Sequence, residues 1–152
     1  MKTKVRFAPS PTGYMHVGGL RTALYNYLYA KQVGGKLLLR IEDTDQIRQV
    51  ENATKNLIST FKMLGIQFDE GPGYGGNNGP YFQSSRLDIY HKHIQILLKS
   101  GDAYPCFCSS HRLEEVRGKQ IENKTTIKYD RYCLDIDSKK VHKKMANEPH
   151  VI

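Results

Sequence analysis

The sequence predicts an α/β fold that contains a parallel sheet, and three observations support this. Residues 3–8 form a β-type run, residues 19–33 show helical spacing, and residues 36–41 are apolar almost without interruption. Such an apolar run is typical of a strand covered on both faces. A strand, a helix and a strand in this order predict two parallel strands joined by a crossover helix. The helix is predicted to place one apolar face inward, formed by Leu20, Leu24, Tyr27 and Leu28.

The first strand and the helix are joined by a loop within RFAPSPTGYMHVGG. Pro9 and Pro11 hold the backbone extended, because each proline fixes its own φ and disfavours helical geometry in the preceding residue. The helical spacing begins after His16, so this histidine and the glycines Gly18 and Gly19 are predicted at a helix N-terminus. Unpaired N–H groups and the helix dipole attract anions at such a position.

The second strand runs directly into three acids within IEDTD, namely Glu42, Asp43 and Asp45. Ligands of parallel α/β folds bind beyond the carboxyl ends of the strands. We therefore expect these acids to lie close to the proline loop, although about thirty positions separate the two motifs. The acids could cap the next helix, or at least one of them could bind a cationic group.

Further helices are predicted over residues 50–64 and 87–101, with a short strand at 66–68. The stretch 71–80, GPGYGGNNGP, consists almost entirely of turn-forming residues. It has no Gly-Lys-Ser/Thr ending and no G-x-G-x-x-G leading into a helix, so we exclude a phosphate-binding loop there.

The three cysteines indicate a metal site. Cys106 and Cys108 stand in CFC, and Cys133 follows in a segment that contains few large aliphatic residues. Three cysteines without an export signal argue against a disulfide framework. Thiolates at this spacing can supply three ligands of a tetrahedral zinc site. The alternative is three free thiols packed as small apolar groups.

Composition and charge narrow the function classes. The 152 residues carry a net charge of +8, and the first 41 contain seven Lys or Arg and no acid. This distribution predicts either a polyanionic partner, such as a nucleotide or RNA, or a solvated basic face. The sequence contains no apolar run long enough to cross a membrane and no secretory signal, so we expect a cytoplasmic protein.

The motif PSPTGYMHVGG, followed by LLRIEDTD, resembles the N-terminal signature of class I aminoacyl-tRNA synthetases, and its flanking residues resemble the bacterial-type glutamyl branch. The resemblance covers nearly the whole chain. It implies the first half of a Rossmann-like nucleotide-binding fold over residues 1–103. It also implies a small zinc-binding insertion, which approaches the acceptor end of tRNA, over residues 104–152. The implied activity is ATP-dependent activation of L-glutamate and its transfer to tRNA(Glu) by a monomer, with Mg²⁺ and a structural Zn²⁺.

The resemblance also implies roles for individual residues. Those implied for glutamate are Arg6, Ser10 and Glu42. Those implied for ATP are Thr12, His16 and Gly19, and the implied catalytic group is His16, Gly18 and Gly19. An arginine fork suits a carboxylate, and an imidazole at a helix N-terminus can donate to phosphate oxygens. We therefore expect Arg6, His16 and Glu42 to line one shared cavity.

For the metal, the resemblance offers a fourth ligand beside Cys106, Cys108 and Cys133. We expect Tyr129, four positions before the last cysteine. Asp135 is the second choice and His111 the third.

The chain lacks the lysine-rich KMSKS-like loop of this family, and Val151 and Ile152 resemble the start of a strand. We therefore expect a fragment of a longer protein, which does not form glutamyl-adenylate alone at a useful rate. Two other functions remain open. One is a glutamyl-queuosine tRNA(Asp) synthetase, and the other is a non-catalytic, zinc-bearing tRNA-binding module.

Overall fold

The computed structural model describes residues 3–152. Strand β1 (Lys4–Phe7) pairs in parallel with strand β2 (Lys36–Leu39), and helix α1 (Val17–Gln32) connects them. The α/β class and the parallel pair predicted from the sequence are therefore confirmed. Four further helices follow: α2 (Ala53–Met63), α3 (Leu87–Ser100), α4 (Ser110–Glu122) and α5 (Ser138–Asn147).

The chain forms two compact units, the first ending at Asp88 and the second beginning at Ile89. This division lies near the start of α3, whereas the sequence suggested a boundary after residue 103, beyond the end of that helix. Among the described residues, no helix has the length and apolar character required to span a membrane.

The hydrophobic core of the first unit lies on one face of the strand pair. The side chains of Phe7, Leu37, Leu39 and Ile41 are buried there against Leu57 and Phe61 of α2 and against two alanines of α1. The ring of Phe61 makes edge contacts with Phe7 at 5.6 Å and with Phe68 at 5.1 Å between centroids. Such edge-to-face pairs add to the stabilisation that burial alone supplies.

The inward face of α1 differs from the predicted one. Ala23 and Ala30 are buried, whereas Leu24 and Leu28 are exposed. Alanine allows a helix to approach a sheet closely, because its side chain ends at Cβ. The prediction that Leu24 and Leu28 face inward is wrong, whereas Leu20 and Tyr27 are partly buried and pack against the core.

Hydrogen bonds continue beyond the ends of both strands. The N–H groups of Arg40 and Glu42 donate to the carbonyl oxygens of Phe7 and Pro9, at 3.1 and 2.9 Å. The backbone after β1 thus stays beside the backbone after β2 as far as the proline loop. This places both predicted motifs at the same edge of the sheet.

A buried carboxylate, Glu70, connects the glycine-rich loop of residues 71–80 to strands β1 and β2. It accepts hydrogen bonds from Asn78, from the Tyr81 hydroxyl at 2.9 Å and from Lys36 Nζ at 3.3 Å, and Lys4 Nζ lies 3.6 Å away. The hydrogen bond from Asn78 outweighs the opposing effect of burial. With the bonds from Tyr81 and Lys36, it lowers the pKa of Glu70 from its ordinary 4.5 to about 2.

Glu70→Gln is expected to lower the melting temperature at pH 7 by several degrees, because both lysines lose their anionic partner. A carboxyl with a lowered folded-state pKa stabilises the fold above its unfolded pKa and loses this contribution as the pH falls through the folded pKa. The unmodified protein should therefore lose this stabilisation between about pH 4.5 and pH 2, whereas the variant should not. Thermal melts over this pH range, with the exposed Glu114→Gln as control, measure the difference. Equal melting curves for all three proteins would contradict the assigned role of Glu70.

Candidate functional site

Helix α1 begins at a histidine cap. His16 has extended backbone geometry, and its Nδ1 accepts a hydrogen bond from the N–H of Gly18 at 3.1 Å. In a neutral imidazole, an accepting Nδ1 requires the proton to be on Nε2. The cap therefore leaves Nε2–H as a donor at the positive end of the helix dipole.

A cavity of about 280 Å³ lies at this end of α1. It brings together four of the residues predicted from the sequence, Ser10, Thr12, His16 and Gly19. The rest of its wall is largely apolar, and Phe7, Met15 and Leu57 contribute to it.

A side chain at Gly18 and a side chain at Gly19 would meet different neighbours. A Cβ added at Gly18 would lie 2.8 Å from Cε1 of the imidazole, so Gly18 makes room for the capping ring. A Cβ added at Gly19 would meet the flexible Met15 side chain, with Sδ at 2.9 Å. Gly19 itself lines the cavity, whereas Gly18 does not belong to its wall.

The acidic motif lies beside the proline loop, as the sequence predicted. The N–H of Glu42 donates to the carbonyl of Pro9 at 2.9 Å, and the N–H of Val50 donates to the carbonyl of Pro11 at 3.0 Å. The first acid of IEDTD and a residue that follows the motif are therefore both bonded to the loop that leads to His16.

Arg6 and Glu42 do not line the cavity that contains His16. Successive side chains of a strand point to opposite faces, and Phe7 lines the cavity, so Arg6 lies on the other face. Arg6 is paired with Leu38 in the register, and the same alternation places Arg40 and Glu42 on this second face. Arg6 and Glu42 are thus not among the residues that line this cavity, and a site shared by Arg6, His16 and Glu42 stays a prediction. The predicted residues lie on both faces of one sheet edge, and Ser10 belongs to the cavity wall.

The acids of IEDTD have different partners. Oε1 of Glu42 accepts a hydrogen bond from Nη2 of Arg40 at 2.9 Å. Asp43 accepts from both the N–H and the hydroxyl of Ser84, at 2.8 and 2.6 Å, and so caps the short 3₁₀ helix Gln83–Arg86. Asp45 pairs with Arg48 three residues further on. The helix that follows the motif, α2, has Asn52 at its N-cap, so Asp43 does not cap the next helix but a turn that is distant in sequence.

Burial raises the pKa of Asp43, but the hydrogen bonds from Ser84 outweigh it, so the pKa lies below its usual range. Asp43 is therefore ionised at neutral pH and remains an acceptor for the turn that follows the glycine-rich loop.

The second unit contains the thiol cluster predicted from the sequence. The Sγ atoms of Cys106, Cys108 and Cys133 all lie within 4.8 Å of one another, and those of Cys108 and Cys133 are 3.6 Å apart. Two sulfur ligands at about 2.3 Å from a tetrahedral zinc ion would be separated by about 3.8 Å. The donor set and its spacing therefore fit a zinc ion.

Tyr129 lies against this cluster. Its hydroxyl is 3.2 Å from Sγ of Cys106 and 3.6 Å from Sγ of Cys108. Burial and these two contacts raise the pKa of Tyr129. Among the described residues, the group of potential metal ligands contains neither Asp135 nor His111, and His111 is exposed beside Glu115. Of the three residues offered as a fourth ligand, Tyr129 is the one whose hydroxyl contacts the cysteine sulfurs.

Arg112 lies beside the same cluster. Its guanidinium donates to Sγ of Cys108 at 3.5 Å, pairs with both carboxylate oxygens of Asp130, and stacks on the Tyr132 ring at 4.2 Å. A cation in this position stabilises negative charge on the thiolates.

Residues 2–152 match the family described as tRNA synthetases class I (E and Q), catalytic domain. The chain belongs to this family. The resemblance that the sequence motifs indicated is thereby confirmed.

Several relatives of this synthetase chain share about half of its residues. It is 51% identical to the glutamate–tRNA ligase of Clostridium kluyveri, over 99% of this chain and 31% of that protein. It is 58% identical to the glutamate–tRNA ligase of Chlorobaculum parvum, over 90% of this chain and 27% of that protein. The chain thus spans about a third of the length of these curated relatives.

Solved structures show the same fold. A crystal structure of a glutamate tRNA ligase from Elizabethkingia meningosepticum, in complex with its amino acid, matches with a TM-score of 0.90 and 37% identity. The match covers 99% of this chain and 32% of that one. The glutamate-tRNA synthetase of Elizabethkingia anophelis matches with a TM-score of 0.89, also at 37% identity, over 99% of this chain and 32% of that one.

Two residues of this synthetase chain were missed by the sequence analysis, Arg40 and Arg112. Both contact predicted site residues, Glu42 and Cys108 respectively. Arg40 lies two positions before Glu42 on an extended segment, and this spacing was a usable signal. Nothing in the sequence marked Arg112, because its contact depends on how α4 packs beside the cysteines.

Proposed function

We propose that this chain is the glutamate-activating part of a glutamate–tRNA ligase. The complete protein would join L-glutamate and ATP to form glutamyl-adenylate and transfer the glutamyl group to tRNA(Glu). The observation that carries the proposal is the edge of the sheet where the cavity of Thr12, His16 and Gly19 adjoins the face of Arg6 and Glu42. The names of the relatives support the same reading.

The cavity at the start of α1 would hold ATP. The glutamate carboxylate attacks the α-phosphorus, an acyl–phosphate bond forms, and the bond to pyrophosphate breaks. His16 would donate from Nε2 to an α-phosphate oxygen, and the helix dipole would add a fixed positive potential. Mg²⁺, which accompanies ATP, would neutralise phosphate charge. Thr12 and Gly19 would contact the nucleotide from the cavity wall.

The second face would hold the amino acid. Arg6 is exposed at the end of β1 and presents a fork that suits the side-chain carboxylate of glutamate. Glu42 would accept from the substrate ammonium, and Ser10, in the cavity wall, would hydrogen-bond the substrate where it crosses to the nucleotide. Holding both reactants on one rigid edge converts their encounter into an oriented reaction.

The thiol cluster of the second unit would hold a structural zinc ion. Its ligands would be the three cysteines and Tyr129, and the ion would supply cross-links between segments that are far apart in sequence. This unit would contact the acceptor end of tRNA. The ligase would act as a monomer in the cytoplasm.

Arg6→Ala tests the proposal. In ATP–pyrophosphate exchange by the complete gene product, with tRNA present, the variant is expected to raise KM for glutamate by about 100-fold. Losing a charge-assisted contact costs about 1.5–3 kcal/mol, and each 1.4 kcal/mol is tenfold. KM for ATP should stay unchanged.

Lys62→Ala, which removes an exposed cation near the end of α2, is the control and should leave both KM values unchanged. Exchange that does not depend on glutamate, or an Arg6→Ala variant with normal KM for glutamate, would overturn the proposal.

A further inference from the structure

Arg40 has an unusual environment for a cation at a sheet edge. Its side chain is only 17% exposed, and its Nη2 donates to Oε1 of Glu42 at 2.9 Å. Its Nε is buried and has no hydrogen-bond partner among the described residues. Burying a guanidinium with an unsatisfied donor costs free energy, so Arg40 is poorly explained as a device for stability alone.

The place of Arg40 is fixed by the backbone. Its N–H donates to the carbonyl of Phe7, directly after β1, and the N–H of Glu42 donates to Pro9. Arg40 and Glu42 are therefore held two positions apart on one extended segment, on the same face as Arg6. The guanidinium contacts Glu42.

The ion pair restricts the carboxylate of Glu42. A glutamate side chain has three rotatable bonds, and ordering it at the moment of binding would weaken the affinity. Arg40 holds Oε1, and Oε2 remains as an acceptor on a carboxylate that is still one-third exposed. A group that arrives from solvent therefore meets an acceptor that is already oriented.

We propose that Arg40 is a positioning residue for the ammonium group of the amino-acid substrate. It holds Glu42 through Oε1 and thereby directs Oε2 to the ammonium, without touching the substrate itself. This inference rests on the proposed function, because it assumes that Glu42 receives the substrate ammonium.

A double-mutant cycle on the complete gene product tests it. The probes are a non-hydrolysable glutamyl-adenylate analogue and the same analogue without its α-amino group, with dissociation constants from titration calorimetry. Arg40→Gln is expected to weaken binding of the first probe about tenfold and to leave the second unchanged. In the Glu42→Gln background, Arg40→Gln should have no further effect, because its action passes through Glu42.

A purely structural role predicts a different pattern. Arg40→Gln would then weaken the binding of both probes, and its effect on affinity would add to that of Glu42→Gln. This result would overturn the inference. Lys144→Gln, which breaks the exposed pair with Glu148 in the second unit, is the control for loss of an ion pair and should leave both probes unaffected. If Arg40→Gln does not fold, Arg40→Lys keeps the charge without the fork and should weaken only the first probe.

The double-mutant cycle distinguishes failure of the proposed function from failure of the proposed role of Arg40. If neither Glu42→Gln nor Arg6→Ala affects the first probe, the proposed function fails, and this inference fails with it. If Glu42→Gln weakens the first probe selectively but Arg40→Gln changes nothing, only the role of Arg40 is overturned.

Discussion

Replacing His16 by alanine is expected to lower the rate of glutamyl-adenylate formation about 100-fold or more. Removing one donor that stabilises charge in a transition state typically costs a factor of about 10²–10³. His16 is the cap of α1. In the proposed reaction its Nε2–H would donate to the α-phosphate, so alanine would remove the helix cap together with the proposed phosphate donor. Single-turnover kinetics of the complete gene product, at saturating ATP and glutamate, measure the chemical step directly.

His16→Asn separates the two roles of the histidine. Asparagine is a strong N-cap and can accept from the N–H of Gly18, but it has no imidazole Nε2–H. We expect the melting temperature of His16→Asn to return to that of the unmodified protein. Its rate of glutamyl-adenylate formation should stay nearly as low as that of His16→Ala. An asparagine variant with normal rates would show that His16 only caps the helix.

Replacing Cys133 by serine is expected to abolish binding of the proposed zinc ion and to unfold the second unit. Among the described residues of this unit, only Pro105 and Cys133 are buried, so the unit has little hydrophobic core of its own. Structural zinc sites in small peptides contribute about 10–16 kcal/mol of apparent binding free energy, which is also folding free energy. Metal content by mass spectrometry should fall from one zinc per chain to none, with a loss of helical circular dichroism.

Tyr129→Phe and Tyr132→Phe form a matched pair for the fourth ligand. The hydroxyl of Tyr129 contacts two cysteine sulfurs, whereas Tyr132 is 63% exposed. Zinc affinity in a chelator competition should fall at least tenfold for Tyr129→Phe and stay unchanged for Tyr132→Phe. A Cys133→Ser variant that keeps one zinc and its helices would contradict the structural role of the metal.

The strand–helix–strand unit could be predicted because its pattern depends on local chemistry. Prolines, glycines and apolar spacing place β1, α1 and β2 without knowledge of their neighbours. The inward face of α1 could not be predicted, since apolar spacing favours Leu24 and Leu28 over Ala23 and Ala30. How closely a helix approaches its sheet depends on the packing of the whole core.

Helices α4 and α5 of the second unit were not predicted, although the sequence contains an N-cap residue for each. Ser109 caps α4 and accepts from the N–H of Arg112, and Asp137 caps α5 and accepts from two N–H groups. Both helices are strongly polar, so apolar spacing does not reveal them. Weighting the caps would have predicted both.

Some residues of the candidate site could likewise be placed from the sequence, and others could not. Loop and helix-start residues such as Thr12 and His16 were placed together because one local turn positions them. The separation of Arg6 and Glu42 from the cavity follows from strand alternation, which the sequence contained but the prediction did not apply. The spacing of Arg40 and Glu42 on an extended segment indicates a common face, but their contact also requires side-chain geometry that the spacing does not encode.

The most direct test of the central claim is a crystal structure of the complete gene product with a non-hydrolysable glutamyl-adenylate analogue. The account predicts the phosphate group at Nε2 of His16, in the cavity lined by Thr12 and Gly19. The amino acid is expected at the same sheet edge, with its α-carboxylate at the phosphate, its side-chain carboxylate at Arg6 and its ammonium at Glu42. An analogue bound away from this edge, or with its ammonium far from Glu42, would contradict the account.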